Sequence, residues 1–165
     1  MVEEDQIGHM ALIAKRDEIV EAFGRPVVAD DGTVSRRTLG RIVFGDQTSL
    51  NRLESIVHPW MVGETERRLA DHSGNTVINA AILFKMGLET LCDKVVVVRS
   101  RICLRFMRAR RRDGLRMREI MKRQSTQRSL IRAPIGVDTI TVRNNRSRTH
   151  LERRIDRLLE SRLEG

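Results

Sequence analysis

The residues best placed to do chemistry in this chain are arginines. Arg108, Arg110, Arg111 and Arg112 fall close together beside Phe106 and Met107, so on a helix several guanidinium groups share a face and repel one another unless anions lie between them. The planar guanidinium fork matches phosphate oxygens, which makes a polyphosphate a fitting partner. A solvated charged face is the plainer reading of such a run. Three smaller signals accompany it. His58-Pro59, inside Leu53 to Met61 (LESIVHPWM), sets an imidazole beside a backbone position with no N–H, where it either binds a ligand or caps the preceding helix. Asp5 stands just ahead of an expected helix and suits three roles: holding Mg²⁺, accepting a proton, or simply capping that helix. Arg143 to Ser147 (RNNRS) follows the last expected strand, where open α/β sheets bind ligands at strand carboxyl ends. An ordinary Asn-Asn turn is the alternative there.

The charge is concentrated. Residues 99 to 132 hold 13 basic and 2 acidic side chains, while the rest of the chain holds 18 basic and 20 acidic. One segment therefore carries the whole positive balance of +9. Lysine occurs only at positions 15, 85, 94 and 122, so nearly all the basic residues are arginine. With 165 residues, 40% of them hydrophobic, the chain is long enough for one domain with a real core. Its apolar runs fall far short of the ~20 residues that span a bilayer, and the acidic start lacks the cationic region of an export signal. Two cysteines, Cys92 and Cys103, complete neither a zinc site nor a disulfide framework, which favours reduced thiols in the cytoplasm.

The elements that must position these residues follow from periodicity. Ile7, Met10, Leu12, Ile13, Ile19, Val20 and Phe23 recur mostly at helical spacing up to Gly24, predicting one helix or two short ones. Asp30, Asp31 and Gly32 make a turn; Ser35 caps a helix through Phe44, Thr48 caps another through Val57, and Pro59 opens a third that ends near His72. From Asn75 the pattern changes. Thr76 to Phe84 and Val95 to Val98 are β-branched apolar runs expected as parallel strands buried on both faces, with a short helix at Gly87 to Leu91 between them. The basic segment predicts a helix over Ile102 to Arg112, a break at Asp113-Gly114 and a second helix over Leu115 to Leu130 with Met117, Ile120 and Met121 on one side. Val137 to Val142 is a third expected strand, and Leu151, Ile155 and Leu158 mark a closing helix. The sum is an α/β fold with helical insertions.

Taken in order, these pieces resemble the dephospho-coenzyme A kinases, a family of P-loop kinases. MVEEDQIGH (residues 1–9) resembles the end of the family's second strand and its Asp-x-Asp motif, with Asp5 at the second Asp and Glu3 where the first is expected. Phe23-Gly24, DGTVSRRTL (31–39), RIVF (41–44) and LESIVHP resemble its helical substrate-binding region. TVINAAILFKMGLETLCDKVVVV is similar to a core strand, short helix and next strand. RARRRDGL (108–115) with Arg123-Gln124 resembles the lid, and Val137 to Asn145 followed by Leu151 the strand and loop beside adenine.

The resemblance implies a P-loop-kinase-like parallel sheet with a helical coenzyme A-binding insertion and a helical lid. Residues 1–10 would be the remnant of a core strand and the Asp motif, 11–73 the dephospho-coenzyme A-binding region, 74–100 core strands, 101–130 the basic lid, and 131–165 a core strand and C-terminal helix. It implies transfer of the ATP γ-phosphoryl group to the ribose 3′-hydroxyl of dephospho-coenzyme A with Mg²⁺, in the cytoplasm and without a membrane. Asp5 is then the general base or metal-side carboxylate, Arg36, His58 and Pro59 hold dephospho-coenzyme A, Arg108 and Arg112 are lid arginines on the phosphates, and Asn144 and Asn145 form the adenine-side loop. Several positions depart from the family pattern: Asn79 stands for a frequent Asp, Ala81 for Pro and Lys85 for Glu. No Gly is followed by Lys, so G-x-x-x-x-G-K-[ST] is absent. The expectation is a first strand and phosphate loop encoded upstream, and no kinase activity without them. Two rivals stand beside this reading: an inactive kinase-derived remnant, and an RNA-binding protein using the same arginine face. Against the second stand the few aromatic candidates for base stacking, with no Tyr and one Trp.

Overall fold

The computed structural model describes residues 1–113 and 136–163. The chain forms two compact units, Met1–Ala81 and Ile82–Gly165.

The first unit runs β1 (Val2–Glu3), α1 (Glu4–Ala14), α2 (Arg16–Phe23), a 3₁₀ turn (Arg25–Val27), α3 (Arg36–Val43), α4 (Gln47–Ala70) and β2 (Ile78–Asn79). β1 and β2 pair in parallel, Val2 with Ile78 and Glu3 with Asn79. The helical period from Ile7 to Phe23 resolves into two helices broken at Lys15, and Gly24 ends the second at φ 78°, a left-handed conformation that favours glycine. Ile7 and Ala11 of α1, Ile19 of α2, Leu39 and Val43 of α3, and Val57 and Met61 of α4 are buried, and α1, α2 and α3 all pack on α4.

Three local expectations hold. Asp31 closes the turn, its Oδ1 accepting from the Thr33 amide at 2.9 Å and hydroxyl at 2.7 Å. Ser35 caps α3, its side chain accepting from the Thr38 amide. The Gly24-Arg25-Pro26 stop also falls where expected.

Other expectations are corrected. α4 is one continuous helix with Pro59 inside it, where two helices meeting at His58-Pro59 were expected. Its cap is Asp46, whose carboxylate accepts from the Ser49 amide at 2.7 Å, rather than Thr48. An interior proline costs a helix about 3 kcal/mol. Here Val57, Met61 and Thr65 recur every fourth residue and are all buried, so packing on both sides of Pro59 offsets that loss. Asp5 does not precede α1 but lies in its first turn.

The second unit carries 3₁₀ turns at Leu83–Lys85 and Leu88–Leu91, then β3 (Val95–Arg99), α5 (Ile102–Asp113), β4 (Thr139–Arg143) and α6 (Arg148–Leu163). β3 and β4 pair in parallel from Val95 with Thr139 to Arg99 with Arg143. The α/β character with parallel pairing is as the sequence indicates, while the extents differ. Of Thr76 to Phe84 only Ile78–Asn79 is strand, and the remainder turns into the Leu83–Lys85 3₁₀ segment. β3 buries Val95 and Val97 but leaves Val96 and Val98 each 51% exposed. The expected burial on both faces is therefore replaced by the alternation of a strand covered on one face. The expected second lid helix over Leu115 to Leu130, with Arg123-Gln124, lies outside the described residues.

Candidate active site

In the second unit, chemistry-bearing residues gather where β3 and β4 end. The pairing continues past β4, with the Asn144 amide donating to the Arg99 carbonyl at 2.7 Å. The Arg101 amide donates to Asn145 Oδ1 at 2.8 Å. From α5, Arg108 reaches back to the same loop, its Nη1 donating to the Asn144 carbonyl at 3.1 Å and its Nη2 to the Arg146 carbonyl at 3.2 Å. One arginine thus clasps the loop by two backbone oxygens. Arg112 lies one turn further along α5. A cavity of about 310 Å³ opens beside this clasp, lined by Arg99, Ser100, Arg101, Arg143 and Asn145.

Of the residues the sequence singled out, Arg108, Asn144 and Asn145 are therefore brought together. Arg99 and Arg101 were missed as individual site residues. The signal that finds them is strand register, because Arg99 and Arg143 end paired strands as neighbours.

In the first unit, Arg36 is the first residue of α3, fixed by the Ser35 cap. Its Nη1 hydrogen-bonds His9 Nε2, and since a guanidinium only donates, Nε2 is the acceptor. The guanidinium is thereby anchored to α1 while remaining exposed. His58 and Pro59 sit at the middle of α4 between buried Val57 and Met61. His9 was not foreseen as a partner of Arg36, because their 27-residue separation carries no sequence signal.

The three consecutive acids at the start of α1 meet different fates. Glu3 is held by Asn79, whose amide Nδ2 donates to Oε2 at 2.9 Å. The β1–β2 register makes these two residues neighbours. Glu4 shares a helix stripe with Ile7 and Ala11 and is 4% exposed. Its Oε1 accepts from the Thr65 hydroxyl at 2.8 Å, and its buried Oε2 has no partner. Burial raises the Glu4 carboxyl above its ordinary value, against weaker pulls downward from Thr65 and Arg68. Asp5 points to solvent. No group of three or more His, Cys, Asp and Glu residues fit to hold a metal occurs among the described residues. Asp5 nevertheless fits a Mg²⁺ carried chiefly by substrate phosphates, an arrangement that asks the protein for only one or two carboxylates.

Comparison with known proteins gives a consistent picture. A family model described as dephospho-CoA kinase matches residues 2–150. The dephospho-CoA kinase of Geobacter sulfurreducens is 31% identical over 98% of this chain and 85% of its own length. That of Borreliella burgdorferi is 29% identical over 96% of this chain and 80% of its own. Among solved structures, a Thermus thermophilus protein superposes with a TM-score of 0.75 at 25% identity, covering 98% of this chain and 83% of the other. The dephospho-CoA kinase of Campylobacter jejuni gives 0.64 at 21% identity over 96% and 82%, a likeness of fold.

Proposed function

We infer the activity of this chain from one premise: it belongs to the dephospho-CoA kinase family, as the family match over residues 2–150 establishes. Members are phosphotransferases that use ATP to phosphorylate dephospho-coenzyme A. The reaction is phosphoryl transfer from the ATP γ-phosphate to the ribose 3′-hydroxyl, the closing step of coenzyme A synthesis. No helix among the described residues is long and apolar enough to cross a membrane, and the reading places the chain in the cytoplasm.

The roles proposed for individual residues are those the resemblance implies, supported by their placement. Arg36, anchored by His9 and presented at the start of α3, is assigned to the anionic part of dephospho-coenzyme A, with His58 and Pro59 of α4 on the same substrate. Asp5, exposed in the first turn of α1, is assigned to the substrate hydroxyl as the group that takes its proton. Arg108, expected on the phosphates, is assigned instead to shaping the Asn144-Asn145 loop against adenine, because both its terminal nitrogens are on loop carbonyls, and Arg112 keeps the phosphates. Phosphoryl transfer is mostly positioning and charge neutralisation. When bound, Mg²⁺ supplies charge neutralisation between phosphate oxygens, with Asp5 the carboxylate on offer.

The test addresses substrate recognition, which does not require the phosphate-loop motif that these residues lack. Titration calorimetry of the purified chain is expected to show dephospho-coenzyme A binding, weakened about tenfold or more by Arg36→Ala, as for loss of a charged hydrogen bond. His9→Gln, which keeps an acceptor for Arg36, is expected to bind more tightly than His9→Ala. A folded wild-type chain with no affinity for dephospho-coenzyme A refutes the substrate assignment.

A further inference from the structure

Glu4 and Thr65 are the buried polar side chains among the described residues, and they bond each other. Glu4 stands in the first turn of α1 and Thr65 in the last part of α4, and the Thr65 hydroxyl lies 2.8 Å from Glu4 Oε1. One turn along, a Cβ added at Gly8 of α1 would meet Met61 Cε of α4 at 3.6 Å. From Glu4 to Gly8 and from Thr65 to Met61 the contacts step in opposite senses, so α1 and α4 run antiparallel where they touch.

The rest of this seam does little to fix where one helix stops against the other. Ile7 and Ala11 on α1 and Val57 and Met61 on α4 are buried and apolar, and apolar contact has no direction. Arg68 also reaches α1, at Met10 Sδ, but a long flexible side chain can follow a shift. Sliding by one turn, about 5.4 Å, exchanges one set of apolar contacts for another. It also takes the Thr65 hydroxyl away from a buried carboxylate whose other oxygen has no partner already, and an unsatisfied buried group is costly. A buried polar pair that adds little to stability can thus select one alignment of two helices, as a polar residue does in a coiled-coil seam.

The alignment matters because the two helices carry different parts of the substrate site. α1 carries His9, the acceptor that anchors Arg36, and α4 carries His58 and Pro59. We propose that Glu4 and Thr65 are positioning residues for dephospho-coenzyme A: their bond sets the register of α1 on α4, and with it the spacing between the Arg36 guanidinium and the His58-Pro59 segment. Both side chains are buried, so they act through the helices rather than by contact. The inference rests on the substrate assignment made above for Arg36, His58 and Pro59.

The test replaces the pair by apolar residues, Glu4→Leu/Thr65→Val, which removes the directional bond and keeps the burial. Calorimetry at neutral pH is expected to show dephospho-coenzyme A binding weakened about tenfold, the fall in apparent affinity when the competent alignment drops to about a tenth of the population. Thermal unfolding of the same variant is expected to show no loss of Tm, a combination that a merely structural pair would not give. Glu4→Gln and Thr65→Ser each keep the bond and are expected to retain wild-type affinity. His9 offers a readout that needs no substrate: its ring NMR signals are expected to be single in the wild type and doubled or broadened in the apolar variant. Thr65→Val alone, which keeps the shape without the hydroxyl, takes the place of a double variant that does not fold. Wild-type affinity in a folded apolar variant overturns the proposal, and so does equal weakening by Glu4→Gln and Thr65→Ser. Failure of both apolar variants to fold overturns it as well, since the pair is then a requirement of folding itself. If the folded wild type binds no dephospho-coenzyme A, the substrate assignment fails separately; the His9 signals then decide the register role, and single signals in the apolar variant overturn it.

Discussion

Replacing Glu4 by glutamine is expected to make the first unit more stable as pH rises. The Thr65 hydroxyl has a single proton and two acceptors within 2.8 Å, Glu4 Oε1 and the Met61 carbonyl. With Glu4 ionised, one acceptor goes without, and Oε2 is buried with no partner at all. With Glu4 protonated, its Oε1–H donates to Thr65 and Thr65 donates to Met61, so the competition for one proton is relieved and Oε2 stays unpaired only as a neutral carbonyl oxygen. Geometry and the burial-driven rise in the Glu4 carboxyl therefore agree. A carboxyl whose pKa rises on folding takes up a proton as the chain folds. Its contribution is fully present below the ordinary value of 4.5 and is lost as pH climbs through the raised one. A buried polar atom left unsatisfied costs ~1–3 kcal/mol, against ~0.5–1.5 kcal/mol returned by the Thr65 bond. The net penalty near neutral pH is then on the order of 1 kcal/mol. Glutamine is uncharged at every pH, so Glu4→Gln should match the wild type at pH 4 and exceed it by about 2–4 °C in Tm at pH 7. Thermal unfolding followed by circular dichroism across that range is the assay. A difference independent of pH, or one that favours the wild type increasingly as pH rises, refutes the reasoning.

Two further outcomes are expected. Ser35→Ala removes the cap that fixes α3 and the position of Arg36; urea unfolding should show a loss of about 1 kcal/mol, and Ser35→Asp should recover most of it. Glu64 accepts from Arg67 through both Nε and Nη2 and from Arg68 through Nε, which holds its carboxyl down at about 2. Its contribution is present above 4.5 and lost as pH falls toward 2, so the Glu64 side-chain NMR resonance should titrate near 2, and moving it to the ordinary range should take both Arg67→Ala and Arg68→Ala.

What the sequence made legible is mostly what local chemistry decides. The Ser35 cap, the Asp31-Gly32 turn and the Gly24 stop are set by residues within a few positions of one another. Ordered short motifs were enough to identify the family that the whole-chain comparisons then matched. The reading failed where tertiary contact overrides local preference. Pro59 suggested a helix boundary, but the Val57, Met61 and Thr65 stripe carries α4 straight through it. Val95 to Val98 suggested a doubly buried strand because composition does not report which faces are covered, and alternate residues proved exposed. Glu4 was not singled out, yet its place three residues before Ile7 puts it on the buried stripe of α1.

The arginines show why composition alone could not rank candidate site residues. Arg16 spends its Nε on the Gly32 carbonyl at 2.6 Å, tying α2 to the turn before α3. Arg108 spends both terminal nitrogens on loop carbonyls. Arg67 and Arg68 share one carboxylate. Each of these groups is already neutralised or satisfied, so a phosphate must compete with bonds in place. Arg99 and Arg143 face the opposite situation, because the parallel register sets their charges side by side with no acidic residue nearby in sequence. The strength of an arginine site therefore depends less on how many arginines the segment from 99 to 132 contains than on which of them the backbone leaves facing one another. In this chain the paired strand ends meet that condition.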